Sequence, residues 1–296
     1  MNNVIAIIVT YNRLELLKEC LEAVLSQEKQ CDILVINNCS TDGTEEYLDT
    51  LSYTNLFIKK TTENIGGAGG FSVGIDEAIR RGYDFAWLMD DDTIPEKTAL
   101  LSLVEKATKL NNQFSFISGI AQWQDNTLCL MNVQKISSNW YKNYEVLNEG
   151  LIPIDDATFV SYFINLRVAK KVGLPIKEFF IYADDWEYSL RLGKEMPGYL
   201  DIDCRVIHKM KDNSKADITT CPDSRIERCY YDIRNHYYVL RKYGSKRNQI
   251  RFVMDRLGDF WTIITSKSNT KFRRIKVLIK GFFAGKRFNP SIEYTK

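Results

Sequence analysis

Histidine and proline are scarce in this sequence, and its cysteines form no paired motif. Two of the 296 residues are histidine, six are proline, and the seven cysteines include no CxxC spacing. This excludes a disulfide framework and argues against a structural zinc site. No run of 18 apolar residues is present, so no segment is predicted to span a bilayer. The apolar run at 4–9 is too short for a secretory signal and lacks its basic flank.

Charge is nearly balanced overall but is unevenly distributed along the chain. There are 40 Lys and Arg against 38 Asp and Glu. Residues 211–296 hold 20 basic and 8 acidic side chains, whereas the first 210 residues hold 20 and 30. An acidic body followed by a basic tail indicates that the two parts of the chain have different functions. We therefore predict one domain at 1–215 and a basic helical region at 216–296.

The first ninety residues alternate between β-branched apolar runs and segments with helical spacing. The runs at 4–10, 33–36, 56–58 and 85–89 predict strands, and helices are predicted at 14–25, 44–51 and 71–81. This alternation is typical of an α/β fold in which helices flank a mostly parallel sheet. Further strands are predicted at 114–120, 127–133, 158–166 and 203–208, and helices at 168–172 and 183–193. Ligands bind such sheets at the carboxyl ends of the strands.

Three consecutive carboxylates, Asp90-Asp91-Asp92, follow directly after the predicted strand at 85–89. Like charges this close raise one another's pKa unless a cation neutralises them. Hard divalent cations prefer carboxylate oxygen, and Mg²⁺ commonly joins protein carboxylates to substrate phosphates. Because side chains alternate along an extended chain, Asp90 and Asp92 can face the same side. The triplet predicts a divalent-metal site, and a solvated acidic turn is the alternative.

The two histidines lie in different contexts. His208 ends the last predicted strand, and an imidazole beside two aspartates would suit Mn²⁺ as well as Mg²⁺. We predict His208 as a third metal ligand, although a lone histidine is more often structural. His236 lies in a tyrosine-rich helical run and is interpreted as a packing residue.

Asparagines and glycines follow the second and third predicted strands. The glycine-rich segment at 64–70 precedes a predicted helix, where backbone amides attract phosphate and glycine permits close approach. It matches neither GxGxxG nor a P-loop, and a flexible loop is the alternative. Residues 40–44 are explained locally as a turn and helix cap. That explanation does not require Asn37 and Asn38, whose amides could read the edge of a nucleobase.

A second acidic cluster begins the predicted helix at 183–193. Asp184, Asp185 and Glu187 surround Trp186 there. The helix dipole alone favours acids at this position. The functional interpretation is that Asp185 is a general base that removes a hydroxyl proton, with an aromatic ring beside it to stack on a sugar.

The tail contains a basic stretch without acids. Eight lysines and arginines between 267 and 287 alternate with Phe, Ile, Leu and Val, which predicts a basic amphipathic helix. On anionic lipid such a helix gains ~1 kcal/mol per basic residue near the surface. Nucleic acid is the rival partner, and a packed helix with a solvated basic face is the third alternative. We favour the membrane surface and expect no nucleic acid.

Taken in order, these motifs resemble the inverting family-two glycosyltransferases of GT-A fold. The resemblance covers roughly residues 4–210 and rests on the segments at 8–13, 37–44, 64–71, 89–92, 179–191 and 207–208. The glycine block and the aspartate triplet are most similar to the galactofuranosyltransferase and rhamnosyltransferase branch. The resemblance implies a Rossmann-like, mixed but mostly parallel sheet with a C-terminal helical extension.

The resemblance also implies roles for particular residues. The implied metal ligands for Mn²⁺ or Mg²⁺ are Asp90, Asp92 and His208. Asp185 would be the catalytic base, supported by Asp184, and the acceptor would contact Trp186, Tyr182 and Glu187. The implied donor-binding residues are Thr10, Tyr11, Asn12, Arg13, Asn37, Asn38, Asn64, Gly66, Gly67, Asp90 and Asp91. Among these, Asn64 and Gly67 would approach the diphosphate and Asp91 the sugar.

The implied function is transfer of a sugar from a nucleotide diphosphate. We predict UDP-galactofuranose as donor and a glycan or polyisoprenoid-linked glycan of a bacterial surface polysaccharide as acceptor. A dTDP-rhamnose-dependent transferase is the near alternative, and a non-catalytic nucleotide-sugar-binding protein is a further one. A nucleotidyltransferase would need a basic triphosphate loop, for which Arg13 alone is thin support. The expected location is cytoplasmic, at the inner face of the cell membrane.

Overall fold

The computed structural model describes residues 3–213 and 217–296. Its strands are β1 Val4–Thr10, β2 Asp32–Asn37, β3 Leu56–Lys60, β4 Phe85–Asp90, β5 Thr93–Pro95, β6 Phe116–Gln122, β7 Lys135–Ile136, β8 Leu151–Asp156, β9 Tyr162–Asn165 and β10 Gly198–His208. Its α-helices are α1 Leu14–Leu25, α2 Thr44–Thr50, α3 Gly66–Arg80, α4 Ala99–Lys109, α5 Leu166–Val172, α6 Asp184–Leu192, α7 Arg228–Tyr243, α8 Lys246–Thr265 and α9 Lys271–Arg287.

The strands form one mixed sheet in the order β3-β2-β1-β4-β9-β6-β10-β8-β7, with β5 paired to β10. Strands β1 to β4 are mutually parallel, whereas β9 is antiparallel to β4 and β6. Alternate side chains of β1 enter different apolar clusters, with Ala6 and Ile8 in one and Ile5 and Ile7 in the other. Both faces are therefore covered, which explains the unbroken apolar runs.

Three predicted elements differ from the structure. Helix α3 begins at Gly66 rather than at 71, and its glycines let it pack closely on β1: a Cβ at Gly70 would lie 2.5 Å from Val9 Cγ1. Residues 127–133 form a short 3₁₀ turn and a single bridge to β6 instead of a strand. The last strand has 11 residues rather than six, because it pairs with β6 on one side and with β8 and β5 on the other.

The C-terminal helices α7, α8 and α9 share an apolar cluster of their own. Helix α7 also packs against the body through Tyr238 and Val239, which meet Phe179 and Ala183. The segment after α9 returns to the body, where the N–H of Leu174 donates to the carbonyl of Glu293 at 2.8 Å. The predicted boundary between 215 and 216 lies outside the described residues.

Candidate active site

Two aspartates and a histidine meet at the carboxyl end of β4. Strand β5 follows Asp92 and pairs with β10 so that His208 lies opposite Thr93. This pairing brings His208 Nε2 within 3.1 Å of Asp92 Oδ1. Across the described ranges, Asp90, Asp92 and His208 form the one group of three potential ligands, with all ligand atoms within 4.8 Å of one another. The sequence-predicted metal ligands therefore converge.

The electrostatics of this cluster suit a divalent cation. Burial, reinforced by the charge of Asp92, raises the pKa of Asp90 to about 7. Burial opposes ionisation of Asp92, but the hydrogen bond and charge of His208 lower the pKa of Asp92 overall. Asp92 Oδ1 is buried, and His208 Nε2 is its polar neighbour. Two carboxylates and an imidazole are donors that Mn²⁺ and Mg²⁺ accept, so the residues present fit such an ion.

Asn132 fixes the orientation of the histidine ring. Its Oδ1 lies 2.9 Å from His208 Nδ1, and its Nδ2 donates to Thr158 Oγ1 at 2.8 Å. A hydrogen bond at the far nitrogen sets which nitrogen is free to face a metal. Asn132 lies in the segment predicted as a strand, and no sequence signal marked it.

Arg13 and the end of β1 hold the aspartate triplet in place. Arg13 donates from one guanidinium nitrogen to Asp92 Oδ2 at 2.5 Å and to Asp91 Oδ1 at 3.2 Å. The other oxygen of Asp91 accepts from Thr10 Oγ1 at 2.8 Å and from the Tyr11 N–H at 3.4 Å. Both oxygens of Asp91 are thus used within the protein, and its contact with the donor sugar stays a prediction.

The asparagines after β1 and β2 hold loops together. Asn12 Oδ1 accepts from the Thr41 N–H at 2.7 Å, and Asn37 Oδ1 accepts from the Ser40 N–H at 3.0 Å. Asn38 Nδ2 donates to Asn64 Oδ1 at 3.1 Å. The Nδ2 of Asn37 is buried without a partner. Their amides are therefore mostly occupied within the protein, whereas Tyr11, next to Asn12 in the chain, is 42% exposed.

Gly66 lies against the loop that leads to the predicted base. Its φ is +74°, and a Cβ there would lie 2.1 Å from the carbonyl oxygen of Phe180. The same carbonyl accepts from the Ala68 N–H at 3.2 Å. Gly66 is therefore required by backbone contact between two site loops. A Cβ at Gly67, in contrast, meets nothing within 4 Å, so the backbone there is open to a ligand.

Asp185 lies in the first turn of α6 with a pKa suited to a base. Burial raises the pKa of Asp185 to about 6, Asp156 adds to the rise, and a hydrogen bond from the Trp186 N–H together with His236 opposes it. That N–H donates to Asp185 Oδ1 at 2.7 Å. Burial, reinforced by the charge of Asp185, raises the pKa of Asp184 well above its ordinary value. A pKa of about 6 favours the ionised form of Asp185 at neutral pH, whereas burial favours the neutral form of Asp184.

A cavity of about 210 Å³ opens beside Asp185. Its polar lining includes Asn132, Asp156, Thr158, Asp185, Trp186 and His236. The rings of Trp186 and His236 lie 5.4 Å apart, and Asp232 lies 3.1 Å from His236 Nδ1. Its volume corresponds to about seven waters at ~30 Å³ each, which is room for one sugar ring.

Two sequence interpretations change in this region. His236 was interpreted as packing, yet α7 carries it to the cavity wall, a placement with no local sequence signal. Glu187 was predicted to contact the acceptor, whereas the structure turns its carboxylate into the interior. Its carboxylate is fully buried, pairs with Arg191 at 2.8 Å and accepts from Tyr243 Oη at 2.5 Å. Tyr182 is half-buried, with its carbonyl bonded to Asn235.

A mixed sheet of this order, with an acidic cluster after its fourth strand and a carboxylate-lined cavity beside it, defines a GT-A glycosyltransferase. Residues 5–167 match the model of the glycosyl transferase family 2. The chain belongs to that family and is a glycosyltransferase.

Individual relatives agree with this assignment. Galactofuranosyltransferase GlfT1 of Mycolicibacterium smegmatis is 24% identical over 257 residues, which cover 82% of this chain and 85% of that protein. The crystal structure of GalNAc-T7 with UDP, GalNAc and Mn²⁺ superposes with a TM-score of 0.67 at 13% identity, over 97% of this chain and 56% of that one. The mannosyltransferase PcManGT from Pyrobaculum calidifontis, in complex with GDP-Man and Mn²⁺, gives 0.58 at 14% identity, over 96% and 84%.

Proposed function

We propose that this protein is an inverting galactofuranosyltransferase that uses UDP-galactofuranose and a glycan or lipid-linked acceptor of a bacterial surface polysaccharide. One observation carries the proposal: the carboxylate of Asp185 lines a cavity that also includes Asn132, the hydrogen-bond partner of His208 in the cluster of Asp90, Asp92 and His208. The sugar is proposed from the similarity to GlfT1. The nucleotide is proposed because the GalNAc-T7 structure contains UDP.

The donor and a divalent cation would lie at the ends of β1, β2 and β4. Asp90, Asp92 and His208 would hold Mn²⁺ or Mg²⁺, which supplies positive charge to a departing diphosphate when bound. Arg13 keeps Asp92 ionised and in place. Tyr11 offers an exposed ring to the base, and the buried Nδ2 of Asn37, at the end of β2, is a donor without a partner.

The acceptor would bind in the cavity with its ring against Trp186. Asp185 takes the proton from the acceptor hydroxyl as that oxygen bonds to the anomeric carbon. The bond from that carbon to the diphosphate breaks on the opposite face, so one displacement inverts the configuration. Because the pKa of Asp185 is about 6, most of the protein carries the base in its active form at pH 7.

A donor screen tests this function. The protein would be incubated with Mn²⁺, a lipid-linked glycan acceptor and either UDP-galactofuranose, dTDP-rhamnose or UDP-glucose, and nucleotide release would be measured beside Asp185→Asn. Release from UDP-galactofuranose alone, abolished in Asp185→Asn, supports the proposal. Release from dTDP-rhamnose alone supports a rhamnosyltransferase. Tight nucleotide binding without release from any donor supports a binding protein.

We further propose that α9 rests on an anionic membrane surface. Arg274 is buried and bonded to the Ile218 and Cys221 carbonyls, so α9 packs by one face on the rest of the C-terminal region. Its other face exposes Phe272, Phe283 and the basic residues Lys276, Lys280, Lys286 and Arg287. Helix α8 adds an exposed stripe of Ile250, Met254, Leu257, Trp261 and Ile264. No described helix is long and apolar enough to cross a bilayer.

A charge-reversal variant tests the membrane proposal better than a truncation, because removing α9 would uncover the core that it shares with α7. We expect Lys276→Glu, Lys280→Glu and Lys286→Glu together to abolish sedimentation with phosphatidylglycerol vesicles. The control carries the same charge change on the exposed body residues Lys97, Lys142 and Lys170. Equal binding by both triple variants would reject the proposal.

A further inference from the structure

The loop that leads into α6 has an unusual backbone. Phe180, Tyr182 and Ala183 all have positive φ, at 65°, 68° and 61°. Side-chain-bearing residues adopt this conformation rarely, and it persists only where surrounding structure enforces it. Ala183 is the residue before α6, so the conformation of this loop sets the position of the first turn of α6, which carries Asp185.

Helix α7, from the C-terminal region, supplies the contacts that enforce this conformation. The side-chain nitrogen of the fully buried Asn235 has two hydrogens to donate and lies within hydrogen-bond distance of three carbonyl oxygens, those of Phe179 at 3.0 Å, Ile181 at 3.0 Å and Tyr182 at 2.9 Å. These carbonyls span the strained part of the loop. One amide group therefore replaces the hydrogen bonds that regular secondary structure would have provided.

Arg234 completes the contact and fixes the direction of the amide. Its Nε donates to Asn235 Oδ1 at 2.9 Å, which leaves Nδ2 directed at the loop. Its terminal nitrogen donates to the carbonyl of Glu178 at 2.6 Å. The ring of Phe180 stacks on Tyr231 of α7 with centroids 4.9 Å apart.

We propose that Asn235 is a positioning residue for catalysis: it holds residues 179–183 in their left-handed conformation and thereby places Asp185 at the cavity. The role in catalysis rests on the proposed function, whereas the role in holding the loop does not. Asn235 is not among the residues that line the cavity, and its side chain contacts the loop, so we argue that it acts through the loop. The C-terminal region is then part of the catalytic unit rather than an appendage.

Hydrogen–deuterium exchange tests the structural half of this proposal. We expect Asn235→Ala to increase exchange in peptides that cover 177–187 and to leave β1 and α4 unchanged. Asn235→Ser keeps one donor and should give a smaller increase in exchange. It is the variant to use if Asn235→Ala folds poorly. The control is Ile233→Val, a buried change on the same helix that faces the other apolar cluster. Unchanged exchange in the loop of both Asn235 variants overturns the proposal.

Turnover with UDP-galactofuranose and affinity for UDP with Mn²⁺ test the catalytic half. We expect Asn235→Ala to lower kcat ~10²-fold, the effect of a displacement of about 1 Å at a reacting group. The Kd for UDP should change less than about threefold, since the donor residues lie elsewhere. A loosened loop with full turnover overturns the positioning role. If the native protein turns over no donor, the proposed function fails, while the exchange result still decides whether Asn235 holds the loop.

Discussion

Replacing Gly66 by alanine perturbs a contact between the glycine-rich segment at 64–70 and the base loop, the segment at 179–183 that leads to Asp185. The left-handed φ of +74° alone costs roughly 1–2 kcal/mol for a residue with a Cβ. The added Cβ would lie 2.1 Å from the Phe180 carbonyl oxygen, about 1.3 Å inside the 3.4 Å at which ordinary contact begins. Since that neighbour is backbone, the base loop must move by about that distance. A shift of about 1 Å at reacting groups can cost ~10²-fold in rate.

Gly82 provides a matched control for the backbone conformation. Its φ is +79°, but a Cβ there meets nothing within 4 Å. We expect Gly82→Ala to lower stability by roughly 1–2 kcal/mol in urea unfolding and to keep full turnover. Gly66→Ala should lose more stability and about 10²-fold in kcat. Equal stability loss in both variants, with turnover intact in both, would refute the idea that the two loops bear on each other.

Three further predictions concern the site. Asp185→Asn should lower the rate ~10²–10⁴-fold while UDP affinity persists. Turnover by the native protein should rise with pH through about 6, because the base works only when deprotonated. A flat pH profile would move the base elsewhere. Asp92→Asn should weaken Mn²⁺ binding in calorimetry at least ~10-fold, and unchanged affinity would contradict the ligand assignment. Glu187→Gln leaves Arg191 buried without its anion and should cost about 3–5 kcal/mol in urea unfolding; a changed acceptor KM without lost stability would restore Glu187 to the acceptor site.

The α/β fold and the family were predictable from local patterns. A strand buried on both faces must be apolar throughout, and the runs at 4–10, 33–36 and 85–89 meet that requirement. It was also predictable that the aspartate triplet would have a polar or cationic partner, because consecutive carboxylates after a buried strand are costly without one. The start of α3 was missed because its glycines have poor helix propensity, and close packing on β1 overrode that propensity.

Local patterns in the sequence are sufficient to give the order of the elements, the edge of the sheet that carries the polar residues, and the charged groups available there. Which of these groups meet depends on how the elements pack. His208 reaches Asp92 because β10 pairs with β5, His236 reaches the cavity because α7 packs on the body, and Glu187 turns inward to Arg191. The first two contacts join segments that are distant in the chain, and the third joins neighbouring turns on the same face of α6. Burial and charge pairing stabilise these contacts, and neither produces a periodic pattern in the sequence around the residues concerned.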